Sequence, residues 1–311
     1  MKKNILDKFA ADDRPMTLNK RKKIRTTTII AWGFMIPNLL ALTLCLWKPI
    51  ATSFIYSFFR MQGYTPVEFV GFDNYAKVIN DTHFILAVTN SLKYVFWELL
   101  LGFLPPVLIA ILLNEVRYGH KTLKFLIYFP VIVPGIVSAL MWKIFYEPSA
   151  SGLINNILLK LGLEMQPFLN SPKGVIFWIC VSSAWGALGG NLIYYLASLQ
   201  GINSELYEAA SIEGAGIIQR ARYITIPQMS GVVLLFLVKK IITVFQIMER
   251  PLTMTDGGPN FASMPIGLQM YRYAFETFKT EYALALGVVQ FLMLICITIF
   301  YFFLQKRVTT E

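Results

Sequence analysis

Glu208-Ala-Ala-Ser-Ile-Glu-Gly214, followed after nine residues by Ile224-Thr-Ile-Pro227, is a polar interruption in an otherwise apolar chain. Gly214-Ala-Gly216 marks a tight turn between two short helical pieces, because glycine adopts the positive φ that such a turn needs. Pro227 is expected to stop the second piece, since its ring removes a backbone donor and crowds the preceding turn. Ala209 and Ala210 leave room for another surface to come within backbone distance. Glu205 and Glu208, three residues apart, share one helical face. Small and acidic residues together on a short helix describe a docking element.

Its surroundings set the class. The chain has 311 residues, 56% hydrophobic and only 15% charged, with a mean hydropathy of +0.55. A soluble domain carries a charged fraction of about a quarter, so this composition belongs to a polytopic membrane protein. The net charge of +10 does not point to nucleic acid, because much of the excess is one run, Lys20-Arg-Lys-Lys23 with Arg25, directly before an apolar span. Such a run marks a cytoplasmic flank, not a groove-reading surface. Cys45, Cys180 and Cys296 lie inside apolar spans without metal-ligand spacing, so no disulfide framework, metal or cofactor is expected.

Residues 1–27 are polar and basic, lack the apolar core of a signal peptide, and read as a cytoplasmic tail that stays attached. Residues 28–311 are expected to form the membrane domain. Six spans follow, at about 28–59, 85–113, 123–146, 175–200, 231–248 and 284–303, each near or above the ~20 residues that cross a bilayer core. The expected fold is an all-α polytopic membrane protein with six transmembrane helices and the Glu208 element in the loop between the fourth and fifth. One side of the membrane collects the basic tail, Arg117, Lys121 and Lys124, Arg220 and Arg222, and Lys306 and Arg307. On the other side Arg60 and Lys77 face Glu68, Asp73 and Asp81, while Lys160 and Lys173 face Glu147 and Glu164. Both termini and the Glu208 element are therefore expected on the cytoplasmic side.

The spacing E-A-A, three residues, G, nine residues, I-x-hydrophobic-P resembles the EAA signature of membrane subunits of ATP-binding-cassette (ABC) importers. The chain departs from it at Ile226 for leucine, Glu213 for aspartate and Ala221 for an aromatic. Phe69-Val-Gly-Phe-Asp-Asn-Tyr75, Trp142-Lys-Ile-Phe145, Gly152-Leu-Ile-Asn155, Ala197-Ser-Leu-Gln200-Gly-Ile202, Asp256-Gly-Gly-Pro259 and Tyr271-Arg-Tyr-Ala-Phe275 are similar, in order and spacing, to the succession in carbohydrate-type permeases of the maltose and glycerol-phosphate branch. Asn203 replaces a usual proline, and Glu281 a usual glycine. The resemblance implies that Glu208, Ala209, Ala210, Gly214, Ile224 and Pro227 couple the chain to a cytoplasmic ATPase. It also implies a second homologous permease, two ATPase subunits, an extracytoplasmic solute-binding protein and an alternating-access pathway for sugar. The chain has no phosphate-cradling loop of its own, Gly119-His-Lys-Thr122 being only a near miss, so it is expected to be a pathway and not an enzyme.

For the pathway, Trp185 offers a stacking face, Gly186, Gly189 and Gly190 offer close approach, and Asn191 offers an amide, all inside the fourth span. Tight helix packing explains the same glycines, with Asn191 as interhelical glue. Gln246 and Gln290 carry the same two readings. Asp256-Gly-Gly-Pro259, with one carboxylate, reads as a turn. Lys239 and Lys240 follow Pro227 by twelve and thirteen residues, which at ~1.5 Å per residue places them roughly 18–20 Å up a helix and deep in the bilayer. Glu98 is at a depth to pair with one of them, and Glu249 is expected nearer the outer surface. One carboxylate cannot neutralise two lysines, so the unpaired one is assigned to an anionic sugar. An integral enzyme or a channel subunit binding another cytosolic partner through the Glu208 loop is the alternative. Against it, His83 and His120 are the only histidines, and no re-entrant segment is evident.

Overall fold

The computed structural model describes residues 18–115 and 120–309. Of the basic residues that orient the chain, Arg117 and the tail before residue 18 lie outside them, as do the side chains of Lys20 to Arg25, Lys121, Lys306 and Arg307. The chain divides into two compact units, up to Ile55 and from Tyr56 onward. The first is dominated by helix α1 (Thr26–Tyr56), long and apolar enough to cross a membrane. Its turn widens to a π-helix at Thr43–Trp47, two residues before Pro49. A widened turn draws the preceding carbonyls away from a ring that would otherwise collide with them.

The second unit begins with a two-stranded antiparallel hairpin, β1 (Phe59–Gln62) and β2 (Thr65–Phe69), turned at Gly63 with φ 61°. Among the described residues this hairpin is the one sheet in an otherwise helical membrane fold, the class expected. Helix α2 (Asp73–Ile79) leads into α3 (Phe84–Gly102) and α4 (Leu104–Glu115), which together make one span interrupted only at Phe103, just before Pro105-Pro106.

The third span is not the continuous helix expected. Helix α5 (His120–Tyr128) tightens into a 3-10 turn at Phe129–Ile132, and α6 (Gly135–Phe145) departs at 94° from the segment before it. Pro130 and Pro134 each remove a donor, and Val133 and Pro134 are extended (ψ 123° and 143°), so the helical ladder cannot pass through. This bent pair is a broken span or a re-entrant loop. Five helices are long and apolar enough to cross a membrane among the described residues, or six if the pair counts as one span.

Helix α7 (Val175–Gln200) holds the second unit together by packing on α3 and α4. At Gly189 an added Cβ would lie 2.5 Å from the Ile127 carbonyl oxygen and 2.6 Å from Val131 Cγ2, so this glycine is what lets α7 touch the third span. After the docking element, α8 (Ser204–Ile212), comes helix α9 (Ile217–Phe245). Pro227 does not stop a piece; it sits inside this continuous helix. The π-turn Ala221–Thr225 precedes it by two residues, the arrangement seen at Pro49, and accommodates the ring in the same way.

Helix α10 (Glu249–Thr255) ends on Asp256 with φ 48°. Asp256 closes the expected turn and pairs with Arg272 at 2.9 Å. Asn90 and Tyr94 of α3 hold the loop beyond it, donating to the carbonyls of Phe261, Met264 and Ser263 at 3.0–3.1 Å. The last span is α11 (Thr280–Thr309), where Gln290 donates to the Phe245 carbonyl at 2.7 Å. Gln290 is therefore interhelical glue.

Candidate functional site

Two regions combine the residues singled out in the sequence. The docking element starts at Asn203, whose side chain accepts the Glu205 amide at 3.1 Å and so caps α8 in place of the family's usual proline. It ends at Gly214 with φ 80°, where no neighbour lies within 4 Å of an added Cβ. The Ala215 amide reaches back to the Ala210 carbonyl at 2.9 Å, a glycine-terminated closure in which conformation, not crowding, demands glycine. Gly216 then opens α9, its amide bonding Gln219 Oε1 at 2.8 Å.

Glu208 and Ala209 are exposed and Ala210 is half-buried beside them. Nearby in sequence, Ile212, Ile218 and Tyr223 stand 88%, 83% and 70% exposed, apolar side chains that the described residues leave uncovered. Ile224 is half-buried on the inner side of α9 and Pro227 is exposed. Beneath α8 lies a cavity of about 540 Å³ lined by Asn114, Glu115, Tyr207, Glu208, Ser211, Ile212 and Arg220. Arg220 donates to Glu115 at 2.5 Å, to Ser211 Oγ at 3.1 Å and to the Ala215 carbonyl at 3.2 Å. Glu115 was not singled out in the sequence, and Arg220 entered it only as a charge that orients the chain.

The second region is an open cavity of about 460 Å³ near the C-terminal end of α9, lined among others by Glu98, Gly135, Ser183, Lys240, Gln246, Glu249 and Arg250. Lys240 Nζ lies 2.6 Å from Glu98 Oε2, with the two side chains 16% and 2% exposed. Among the described residues the other Glu98 oxygen is buried without a hydrogen-bond partner. Gly102 makes room for the pair, since an added Cβ would sit 2.8 Å from Glu98 Oε2 and 3.1 Å from Lys240 Nζ. Arg250 donates to Ser182 Oγ at 3.0 Å and Ser138 Oγ at 3.4 Å. Burial lowers its pKa from the ordinary guanidinium value, and the charges of Glu98 and Glu249 oppose that shift. Glu249 is exposed and lines the cavity. Its Oε1 stands 3.0 Å from the Cβ position of Gly135, at the start of α6, where a helix favours an anion.

Of the predicted pathway residues, Lys240 and Gln246 reach this cavity. Trp185, Gly189, Asn191 and Lys239 are not among its lining residues. Trp185 meets Trp142 edge-on at 6.3 Å, Gly189 is consumed by packing, and Asn191 is half-buried on α7. Lys239 is exposed, its ammonium 5.5 Å and 5.8 Å from the ring centroids of Phe236 and Tyr194, a cation–π placement. Arg250 is the residue the sequence reading missed. The signal was a second cation beside Glu249, directly after an apolar span.

The pattern of the family described as "Binding-protein-dependent transport system inner membrane component" matches residues 102–310. The arabinooligosaccharides transport system permease protein of Bacillus subtilis (strain 168) is 30% identical over 268 residues, covering 86% of this chain and 85% of that protein. The trehalose/maltose transport system permease protein of Thermococcus litoralis is 28% identical over 273 residues, covering 88% and 92%. Among solved structures, a chain of a bacterial ABC transporter involved in the import of the acidic polysaccharide alginate superposes with a TM-score of 0.81 at 25% identity, covering 92% of this chain and 98% of that one. A second structure of a bacterial alginate ABC transporter, in complex with an alginate pentasaccharide-bound periplasmic protein, gives 0.82 at 25% identity with 92% and 97% covered.

Proposed function

Because the chain belongs to the family of binding-protein-dependent transport system inner membrane components, we propose that it is the permease subunit of an ABC importer carrying an oligosaccharide across the cytoplasmic membrane. One observation supports this most. Helix α9 is continuous from the docking turn to the cavity beside Lys240, so a push at one end reaches the other without a flexible joint.

In this reading Glu208, Ala209, Ala210, Gly214, Ile224 and Pro227 shape the surface that an ATPase subunit grips, and Ile212, Ile218 and Tyr223 supply its apolar contact. A second, homologous permease completes the pathway, two ATPase subunits hydrolyse ATP, and an extracytoplasmic binding protein delivers solute. Residues 1–27 are a cytoplasmic tail, 28–311 are the membrane domain, and both termini face the cytoplasm. The solute path runs past Lys240 and Gln246, whereas Gly189 serves the packing of α7 and Lys239, Trp185 and Asn191 stand outside the cavity. An ATPase subunit should co-purify with this chain from solubilised membranes. Its absence from a complex that retains a second permease would contradict the reading.

An acidic sugar is favoured by Arg250. It lines the cavity and donates to hydroxyls, and no carboxylate lies within 4.0 Å of it among the described residues, leaving it able to receive one from a solute. Transport by Arg250→Gln, Lys239→Gln and Lys240→Gln, compared on an acidic oligosaccharide and its neutral analogue, tests this. Equal loss on both solutes, or no loss on either, refutes the acidic preference.

A further inference from the structure

The turn at Gly214 is open and unsupported by packing, so a force applied to α8 would be lost in rotation about the turn unless something braces it. Two side-chain ties supply that brace, and they lead to different helices. Tyr207 of α8 bonds Thr225 Oγ1 at 3.0 Å, and Thr225 is 1% exposed inside α9. Arg220, in the first turn of α9, closes the other tie and carries it on to a second helix. It bonds Ser211 on α8 and the Ala215 carbonyl in the turn, and then Glu115, the last residue of α4. The Arg220 and Glu115 side chains are only 18% and 16% exposed, so this is not a surface pair that solvent screens away. The two helices reached in this way meet again deeper in the molecule. The span formed by α3 and α4 carries Glu98, α9 carries Lys240, and these two form the ion pair that lines the second cavity.

We propose that Glu115 and Arg220 are positioning residues which carry movement of the docking helix into the α3–α4 span, while Tyr207 and Thr225 carry it into α9, so that one push acts on both partners of the Glu98–Lys240 pair. Without the first tie, movement would reach Lys240 alone and the two walls of the cavity would no longer shift together. This rests on the permease reading and adds to it a second route of transmission, through a helix that does not follow the docking element in sequence.

The test uses the complex purified through this chain and reconstituted into vesicles, measuring solute taken up per ATP hydrolysed. Arg220→Gln and Glu115→Gln should each retain the ATPase subunits yet lower that ratio about tenfold, within the usual range of coupling factors. Arg220→Lys, which keeps a charged donor toward Glu115, Ser211 and the Ala215 carbonyl, should retain most of the ratio. Single glutamine variants that keep the parental ratio overturn the proposal. An Arg220→Lys ratio as low as that of Arg220→Gln also overturns it. Failure of the parental complex to link uptake to ATP would instead refute the permease reading itself.

Discussion

Lys240 Nζ lies 2.6 Å from Glu98 Oε2 across the α3–α9 interface, with Glu98 almost wholly buried. Removing one member leaves the other charged in a low-dielectric site, so Lys240→Met alone should destabilise the protein by about 3–5 kcal/mol. The double variant Lys240→Met with Glu98→Leu should recover most of that loss. Thermal unfolding of the four proteins in one detergent gives the coupling energy directly. Additive losses would mean that the pair carries no net interaction.

Gly102 and Gly189 should be intolerant for different reasons. A methyl at Gly189 meets the Ile127 backbone at 2.5 Å, and overpacking of this kind costs about 1–3 kcal/mol. Gly189→Ala should therefore lower the folded yield, as read by size-exclusion chromatography. Gly102→Ala should act on the ion pair, and its cost should shrink in the Lys240→Met, Glu98→Leu background.

At Gly214 the space is open but φ is 80°. A β-branched residue resists that region at about 1–3 kcal/mol, so Gly214→Val should abolish solute-stimulated ATP hydrolysis while membrane insertion continues. Glu208→Ala, which removes one exposed charge, should do less, within about 1 kcal/mol. Parental stimulation in Gly214→Val would remove the turn from the coupling account.

Orientation is open to labelling. A cysteine replacing Tyr64, exposed in the hairpin turn, or Asp256 should react from outside the cell with a membrane-impermeant thiol reagent, whereas one replacing Ser204 should not. The opposite pattern would place the docking element away from ATP.

The spans and the docking turn were legible because they rest on local rules. Apolar run length sets a span, and Gly214 sets a turn. Depth alone made Glu98 legible as partner of Lys239 or Lys240, since a buried lysine needs a carboxylate at its own level, but the choice of Lys240 came only with the fold. What could not be read there depends on geometry beyond a window. Pro227 was taken for a stop, but a π-turn two residues earlier absorbs its ring. Pro130 and Pro134 lie in an apolar run that passes for one span, yet together they break it at 94°. Lys239 sits one residue from Lys240 and turns about 100° away from it on the helix, toward Phe236 and Tyr194 instead of the cavity. Arg250 falls in a loop by hydropathy, and only folding returns it to the interior.

The most direct test of the account is oligosaccharide uptake by vesicles that contain the complex isolated through this chain, with binding protein outside and ATP inside. Accumulation that requires ATP, and that Gly214→Val abolishes without loss of the ATPase subunits, is the predicted result. Uptake at the same rate without ATP, or undiminished by Gly214→Val, would contradict it.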